Sequence, residues 1–195
     1  MNTTNTTRHA VLIASLAALT LGAAPLAARA QALVVNQAIT EAEVLSAQKA
    51  WCQALVDIST THVRDGHPAA KALAEKVIDA AYGYQMGAVL FKPTLTVNPQ
   101  TFRTTRAGAL AYFVGGDTAF PKDTGFALKG WTKCDVDNAA MFIAGDSATT
   151  MGKVHITGKD GKVTTVDKTW KFVKDDAGRL RIVVHHSSLE HVAAN

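Results

Sequence analysis

Three short turn signals, Gly145-Asp146, Asp160-Gly161 and Asp176-Ala-Gly178, punctuate the second half of this 195-residue chain and constrain its architecture more than anything else in it. Around them the residues change to a two-residue period over runs 126–133, 135–143, 148–157, 163–174 and 180–188. Asp-Gly between alternating runs is a hairpin signal, and turns this short join only antiparallel neighbours. The second half is therefore predicted to be an antiparallel meander. In its last run Ile182 and Val184 fall on one side and Val183 on the other, so both faces carry apolar residues. A sheet with two apolar faces needs two covers.

The first half supplies one cover. Thr40 followed by Glu43 forms a capping box, and behind it Val44, Ala47, Trp51, Leu55 and Ile58 recur at helical steps. After His67-Pro68 the pattern resumes with Leu73, Val77, Ala80, Ala81 and Tyr84, with Lys71 and Glu75 on the wet side. A short third helix is predicted from Thr105 to Val114, its stripe being Ala107, Leu110, Ala111 and Val114, ended by Gly115-Gly116. Helices followed by a meander make an α+β layer fold. A curved sheet wrapped round the helices leaves a conical cavity, and its outer face is expected to meet a second copy in a homodimer.

The N-terminus predicts export. Arg8 and His9 precede an apolar run from Ala10 to Leu26, and Ala28-Arg29-Ala30 ends it. A basic start, an apolar centre and a small-x-small exit describe a cleavable signal peptide. Ser15, Thr20 and Pro25 interrupt the run, which is short of the roughly 20 apolar residues a spanning helix wants. The reading is thus a signal peptide at 1–30, an extension at 31–39 and a catalytic-size domain at 40–195, periplasmic or secreted and not membrane-bound once cleaved after Ala30. Removing Arg8 and Arg29 takes away two of the net four positive charges. No basic stripe with interleaved aromatics remains, so a nucleic-acid partner is not expected. Two cysteines, Cys52 and Cys134, are left in an oxidising compartment; a bridge and two buried thiols are equally compatible with their positions.

The run Arg181-Ile-Val-Val-His185-His186-Ser187-Ser188 is the most unusual local sequence. Strand alternation puts His185 with Ser187 on one face and His186 with Ser188 on the other. Pro93, which lacks a backbone donor, marks 89–96 as an edge or irregular strand, and this stretch carries Thr94. Tyr112 lies off the apolar stripe of its helix. Adjacent histidines on a strand point apart, so they do not share one ion; a zinc set of His155, His185 and a loop residue is not demanded by any spacing. There is no Gly-x-Ser-x-Gly elbow and no phosphate loop.

Four ordered blocks carry a resemblance. Leu90-Phe-Lys-Pro-Thr94, Gly108-Ala-Leu-Ala-Tyr112-Phe-Val-Gly-Gly116, Gly125-Phe-Ala-Leu-Lys-Gly-Trp131 and His185-His-Ser-Ser188 resemble the iota-class carbonic anhydrases, from about Trp51 to Glu190. His191 and the tail after Glu190 depart from the proline-containing ending of that family. The resemblance implies a cone-shaped fold like nuclear transport factor 2 and the SnoaL-like proteins. It also implies reversible hydration of carbon dioxide to bicarbonate at Thr94, Tyr112 and Ser187, with His185 beside them and no metal or other cofactor. Two other readings suit the same scaffold: a ketosteroid-isomerase-like or polyketide-cyclase-like enzyme using a carboxylate such as Asp57, Asp135 or Asp137, and a non-catalytic binding or oligomerisation module.

Overall fold

Thr40 opens the first helix as its sequence requires. Its hydroxyl accepts from the Glu43 backbone N–H at 3.3 Å, and the Glu43 carboxylate accepts from the Thr40 N–H at 2.8 Å. The computed structural model describes residues 37–193, so the proposed signal peptide and its cleavage point lie outside the described residues. Helix α1 spans Glu41–Asp65, α2 His67–Ala81 and α3 Arg106–Val114. Pro68 sits in the first turn of α2, where a missing N–H costs nothing.

The buried stripes run close to the expected ones but not along them. On α2 the buried residues are Ala70, Ala74 and Ile78, while Leu73, Val77 and Ala81 flank them and Ala80 is exposed. Tyr82, just past the helix, is fully buried, whereas Tyr84 is half-buried. In α3 every residue from Ala111 to Val114 is buried, Tyr112 included, and Ala107 is exposed. This helix is enclosed on most sides, so an amphipathic stripe is the wrong description of it.

Five strands form one sheet in the order β1-β5-β4-β3-β2. They are β1 Leu90–Lys92, β2 Trp131–Ala144, β3 Ser147–Gly158, β4 Val163–Lys174 and β5 Leu180–Leu189. The meander β2 to β5 is antiparallel throughout, as the turns predict. The short β1 is the exception: it lies parallel to β5, with Phe91 opposite His185. Pro93 follows it on the sheet edge, where no ladder donor is needed.

The predicted strand 126–133 is two elements instead. Phe126–Leu128 is a single 3-10 turn, and β2 begins at Trp131. Gly125 at φ 85° and Gly130 at φ 77° break the extended backbone on either side. From Trp131 the strand then runs unbroken to Ala144, past Cys134.

Register shifts in β2 near Asn138 and in the β4–β5 pair near Lys171 bend the sheet. The second corrects the strict alternation expected for β5. Ile182 pairs with buried Phe172, whereas Val184 pairs with half-exposed Lys171, so these two residues are not on one face. Beyond the shift His185 and Ser187 do share the inner face, at 2% and 1% exposure.

Helix α1 is fastened to the inner face twice. A disulfide joins Cys52 to Cys134 on β2, with 5.1 Å between their Cα atoms, which resolves the open choice between bridge and thiols. Gln48, buried among apolar neighbours, donates to Asn138 at 2.9 Å and to Thr150 at 3.0 Å, and accepts from Asn138 at 2.8 Å. A buried amide satisfied this fully fixes the helix against β2 and β3 at little cost.

Candidate active site

Thr94 and Ser187, 93 residues apart, meet through their hydroxyls at 2.6 Å. Two local devices bring them together. Parallel pairing of β1 with β5 lays the chain ahead of Pro93 beside the end of β5, and Lys92 Nζ donates to the Ser187 carbonyl at 2.9 Å. Beyond Thr94 the loop folds back on itself: Thr96 donates to the Thr101 carbonyl at 2.7 Å, and the Arg103 N–H donates to the Phe91 carbonyl at 2.8 Å. The Arg103 guanidinium, 2% exposed, clamps the Asp123 carboxylate at 2.8 Å. The return loop that carries Thr94 is thereby tied to the segment that follows α3.

Tyr112 comes from the last turn of α3. Thr105 caps that helix through the Gly108 N–H at 3.2 Å, and Gly115 at φ 63° ends it. A side chain at Gly115 would meet the Asp123 carbonyl at 3.0 Å, so the exit is built for glycine. The Tyr112 ring stacks on Phe126 at 5.4 Å and meets Phe91 edge-on at 5.7 Å. Its hydroxyl is buried with no hydrogen-bond partner among the described residues. Burial pushes its pKa up, against smaller opposing effects of the nearby Leu95 backbone and Thr94 side chain. Tyr112 thus stays a phenol and presents an unused donor on the Thr94 side.

His185 is inner-facing, as alternation predicts, but both its ring nitrogens are taken. Nδ1 lies 2.8 Å from the Tyr82 hydroxyl and Nε2 lies 2.8 Å from Lys168 Nζ. Trp51 Nε1 donates to the same Tyr82 oxygen at 2.9 Å. Phe91 stacks on the imidazole at 4.4 Å, which joins this polar string to the Tyr112 ring on its other side. Burial holds the His185 pKa well below its ordinary value, with Lys168 adding to the effect. Burial also draws the Lys168 ammonium down from 10.5 to about 7. A small apolar cavity lined by Trp51, Leu55, Ile78, Tyr82 and Phe113 adjoins the string; Thr94, Tyr112 and Ser187 do not line it.

Lys168, Tyr82 and Trp51 are the residues that sequence reasoning missed. The signal was present for Lys168. Val166, Trp170 and Phe172 are alternate residues of one strand, and a lysine in that apolar row is out of place on any solvated reading.

Other candidate sites dissolve in the structure. His155 lies on the outer face, 2.9 Å from the Thr165 hydroxyl, so it cannot join His185 around an ion. Among the described residues no group of three or more histidine, cysteine or carboxylate side chains is arranged to hold a metal. Asp57, Asp135 and Asp137 are all exposed, so none of the three carboxylates considered for an isomerase sits in the cavity.

The metal-independent carbonic anhydrase family matches residues 42–189. A metal-independent carbonic anhydrase from Nostoc sp. (strain PCC 7120 / SAG 25.82 / UTEX 2576) is 69% identical over 158 residues, 81% of this chain and 77% of that protein. The crystal structure of a cyanobacterial iota-carbonic anhydrase in complex with bicarbonate is similar at 66% identity and a TM-score of 0.81, covering 84% of this chain and all of that one. A protein assigned as a calcium/calmodulin-dependent kinase II association domain, from Xanthomonas campestris, shares the fold alone at 23% identity and a TM-score of 0.51, over 80% of this chain and 95% of that one. The helices-on-curved-sheet architecture is the nuclear transport factor 2-like fold, and the chain belongs to the metal-independent carbonic anhydrases, iota-class enzymes that hydrate carbon dioxide reversibly to bicarbonate.

Proposed function

We propose that Thr94, Tyr112 and Ser187 hold the attacking water and the bicarbonate product, and that the chain needs no metal for the step. The direct Thr94–Ser187 hydrogen bond beside an orphaned, buried phenol carries this reading. One hydroxyl of the pair donates to the other, which leaves one spare O–H and several lone pairs. The lone pairs accept from water and aim its oxygen at the carbon of carbon dioxide. The spare O–H and the Tyr112 O–H then stabilise the oxygen on which negative charge develops. Phe91, Phe113 and Phe126 form the aromatic wall round Tyr112 and keep bulk water from competing for these donors. Bicarbonate bound to the similar cyanobacterial enzyme is the product that this donor set would take.

Two wider readings go with it. Arg8 to Ala30 directs export to the periplasm or beyond, a compartment that suits the Cys52–Cys134 bridge. The outer sheet face, with exposed Met151 and Phe142, packs against a second copy. Mass spectrometry of the secreted protein tests the first through its N-terminus, expected at Gln31.

The site itself is tested by bicarbonate binding to metal-free protein, followed by the 13C chemical shift of labelled bicarbonate. Thr94→Val and Tyr112→Phe should each weaken binding about tenfold, the loss of one hydrogen bond to a charged group, with the fold intact by circular dichroism. Unchanged binding in both variants would remove the hydroxyl cluster from the site.

A further inference from the structure

Lys168 is the most unusual residue that the hydroxyl cluster leaves unused. It stands on the inner face of β4, 5% exposed, between buried Val166 and Trp170. A buried ammonium is ordinarily paired with a carboxylate. None pairs with Lys168 among the described residues; its contacts are His185 Nε2 and the rings of Trp51 and Trp170, at 4.8 Å and 5.3 Å.

The order of protons along the string fixes its charge. Trp51 Nε1 can only donate, so the Tyr82 oxygen accepts. Tyr82 then gives its single hydrogen to His185 Nδ1, its other neighbour. An imidazole that accepts at Nδ1 carries its own hydrogen on Nε2 and donates it to Lys168 Nζ. Nitrogen accepts there only as a neutral amine. This order gives the Trp51, Tyr82 and His185 hydrogens each an acceptor and buries no charge. The reverse order puts a cation in the core and leaves the Tyr82 hydrogen with no acceptor.

We propose that Lys168 is the proton acceptor of carbon dioxide hydration, a neutral amine that takes its proton through the hydroxyl of Ser187. Lys168 and Ser187 are direct cross-strand partners on the inner face, and such partners have Cβ atoms about 4.5–5.5 Å apart. The water oxygen forms its bond to carbon as one water O–H breaks. Ser187 Oγ receives that proton and passes its own to Nζ, whose single lone pair turns from the His185 Nε2–H to Ser187 for the transfer. The products are bicarbonate and the Lys168 ammonium, which returns to the amine by losing its proton to solvent buffer. Dehydration runs the same steps backwards. The inference rests on the hydroxyl cluster as the place where water is held.

The surroundings suit an amine that changes charge near neutrality. Besides His185, the titratable groups packed against the pair are Tyr82 beyond α2 and, on the opposite face of β5, His186. Helix α1 contributes the neutral Trp51, β1 contributes Phe91, and β3 places Gly152 opposite Lys168. Burial alone accounts for the lowered affinity of Lys168 for its proton, and an acceptor titrating near the working pH is the most effective one.

The test is steady-state hydration by chelator-treated Lys168→Met and Lys168→Arg across pH, alongside a 15N NMR titration of the lysine side chains in the unaltered enzyme. The methionine variant should lose about 100-fold in kcat with KM changed by less than about threefold. It should lose the ionisation near pH 7 from its rate profile and recover part of its rate in added imidazole or small-amine buffer. The arginine variant, which keeps a donor but never deprotonates, should be as slow. One lysine signal in the unaltered enzyme should titrate near pH 7. A Lys168→Met enzyme that keeps more than about a third of kcat overturns the proposal, as does a Lys168 signal titrating at the ordinary value of about 10.4; the latter decides the matter even where the variants do not fold. Loss of rate in Ser187→Ala with full rate in Lys168→Met would reject the lysine and keep the hydroxyl cluster.

Discussion

Strand β5 carries the same His-x-Ser pair twice, once on each face, and among the described residues the inner copy alone joins a side-chain hydrogen-bond network. His185 and Ser187 on the inner face are nearly inaccessible and engage Tyr82, Lys168 and Thr94. His186 and Ser188, one residue along, are exposed and half-exposed. Residue type is identical, so the difference in chemistry comes from surroundings. A hydroxyl shielded from water and aimed by neighbours stabilises developing charge that the same group in water does not.

Paired substitutions break or sharpen that contrast. The largest effect is expected for Ser187→Ala, a loss of about 100- to 1,000-fold in kcat, against less than about twofold for Ser188→Ala, both read by stopped-flow hydration. Next is His185→Ala, which strands the Tyr82 hydroxyl and the Lys168 amine together. Denaturant unfolding should show about 2–4 kcal/mol lost, and His186→Ala should stay within about 0.5 kcal/mol.

A third contrast sets Lys168 against the half-exposed Lys171. The folded state holds the Lys168 proton less tightly than the unfolded chain does, with the pKa lowered from 10.5 to about 7. Between those values the unfolded chain binds more protons, so stability rises with pH across that window. Lys168→Met should flatten the rise and raise the melting temperature at pH 7 while it lowers activity; Lys171→Met should do neither. A stabilising substitution that silences an enzyme marks a functional group kept at a cost to the fold. The smallest effect on rate is expected on the outer face. Met151→Glu should convert the proposed dimer to monomers by analytical ultracentrifugation and leave kcat within about twofold.

The legible part of the molecule was the part written as period and punctuation. The capping box at Thr40, the Asp160-Gly161 turn and the inward pairing of His185 with Ser187 follow from local rules, and the fold follows from them. What the sequence hid was pairing at a distance. No spacing says that Cys52 on a helix reaches Cys134 on a strand, or that β1 lies parallel to β5. Alternation misplaces Val184 because a register shift intervenes near Lys171. Periodicity makes a strand of the 126–128 turn because it counts the two bracketing glycines as ordinary residues. The hydroxyl cluster came through family likeness; Lys168 was within reach of plain inspection, as the lone charge in a buried row.

The central claim is that buried hydroxyls on the inner face of the sheet perform the hydration without a metal. Stopped-flow carbon dioxide hydration by chelator-treated protein, verified metal-free by elemental analysis, measures this most directly when the unaltered enzyme is compared with Ser187→Ala/Tyr112→Phe. The account predicts full rate for the first and a rate at the uncatalysed background for the second. Activity that vanishes on chelation and returns with added zinc, or a double variant as fast as its parent, would contradict it.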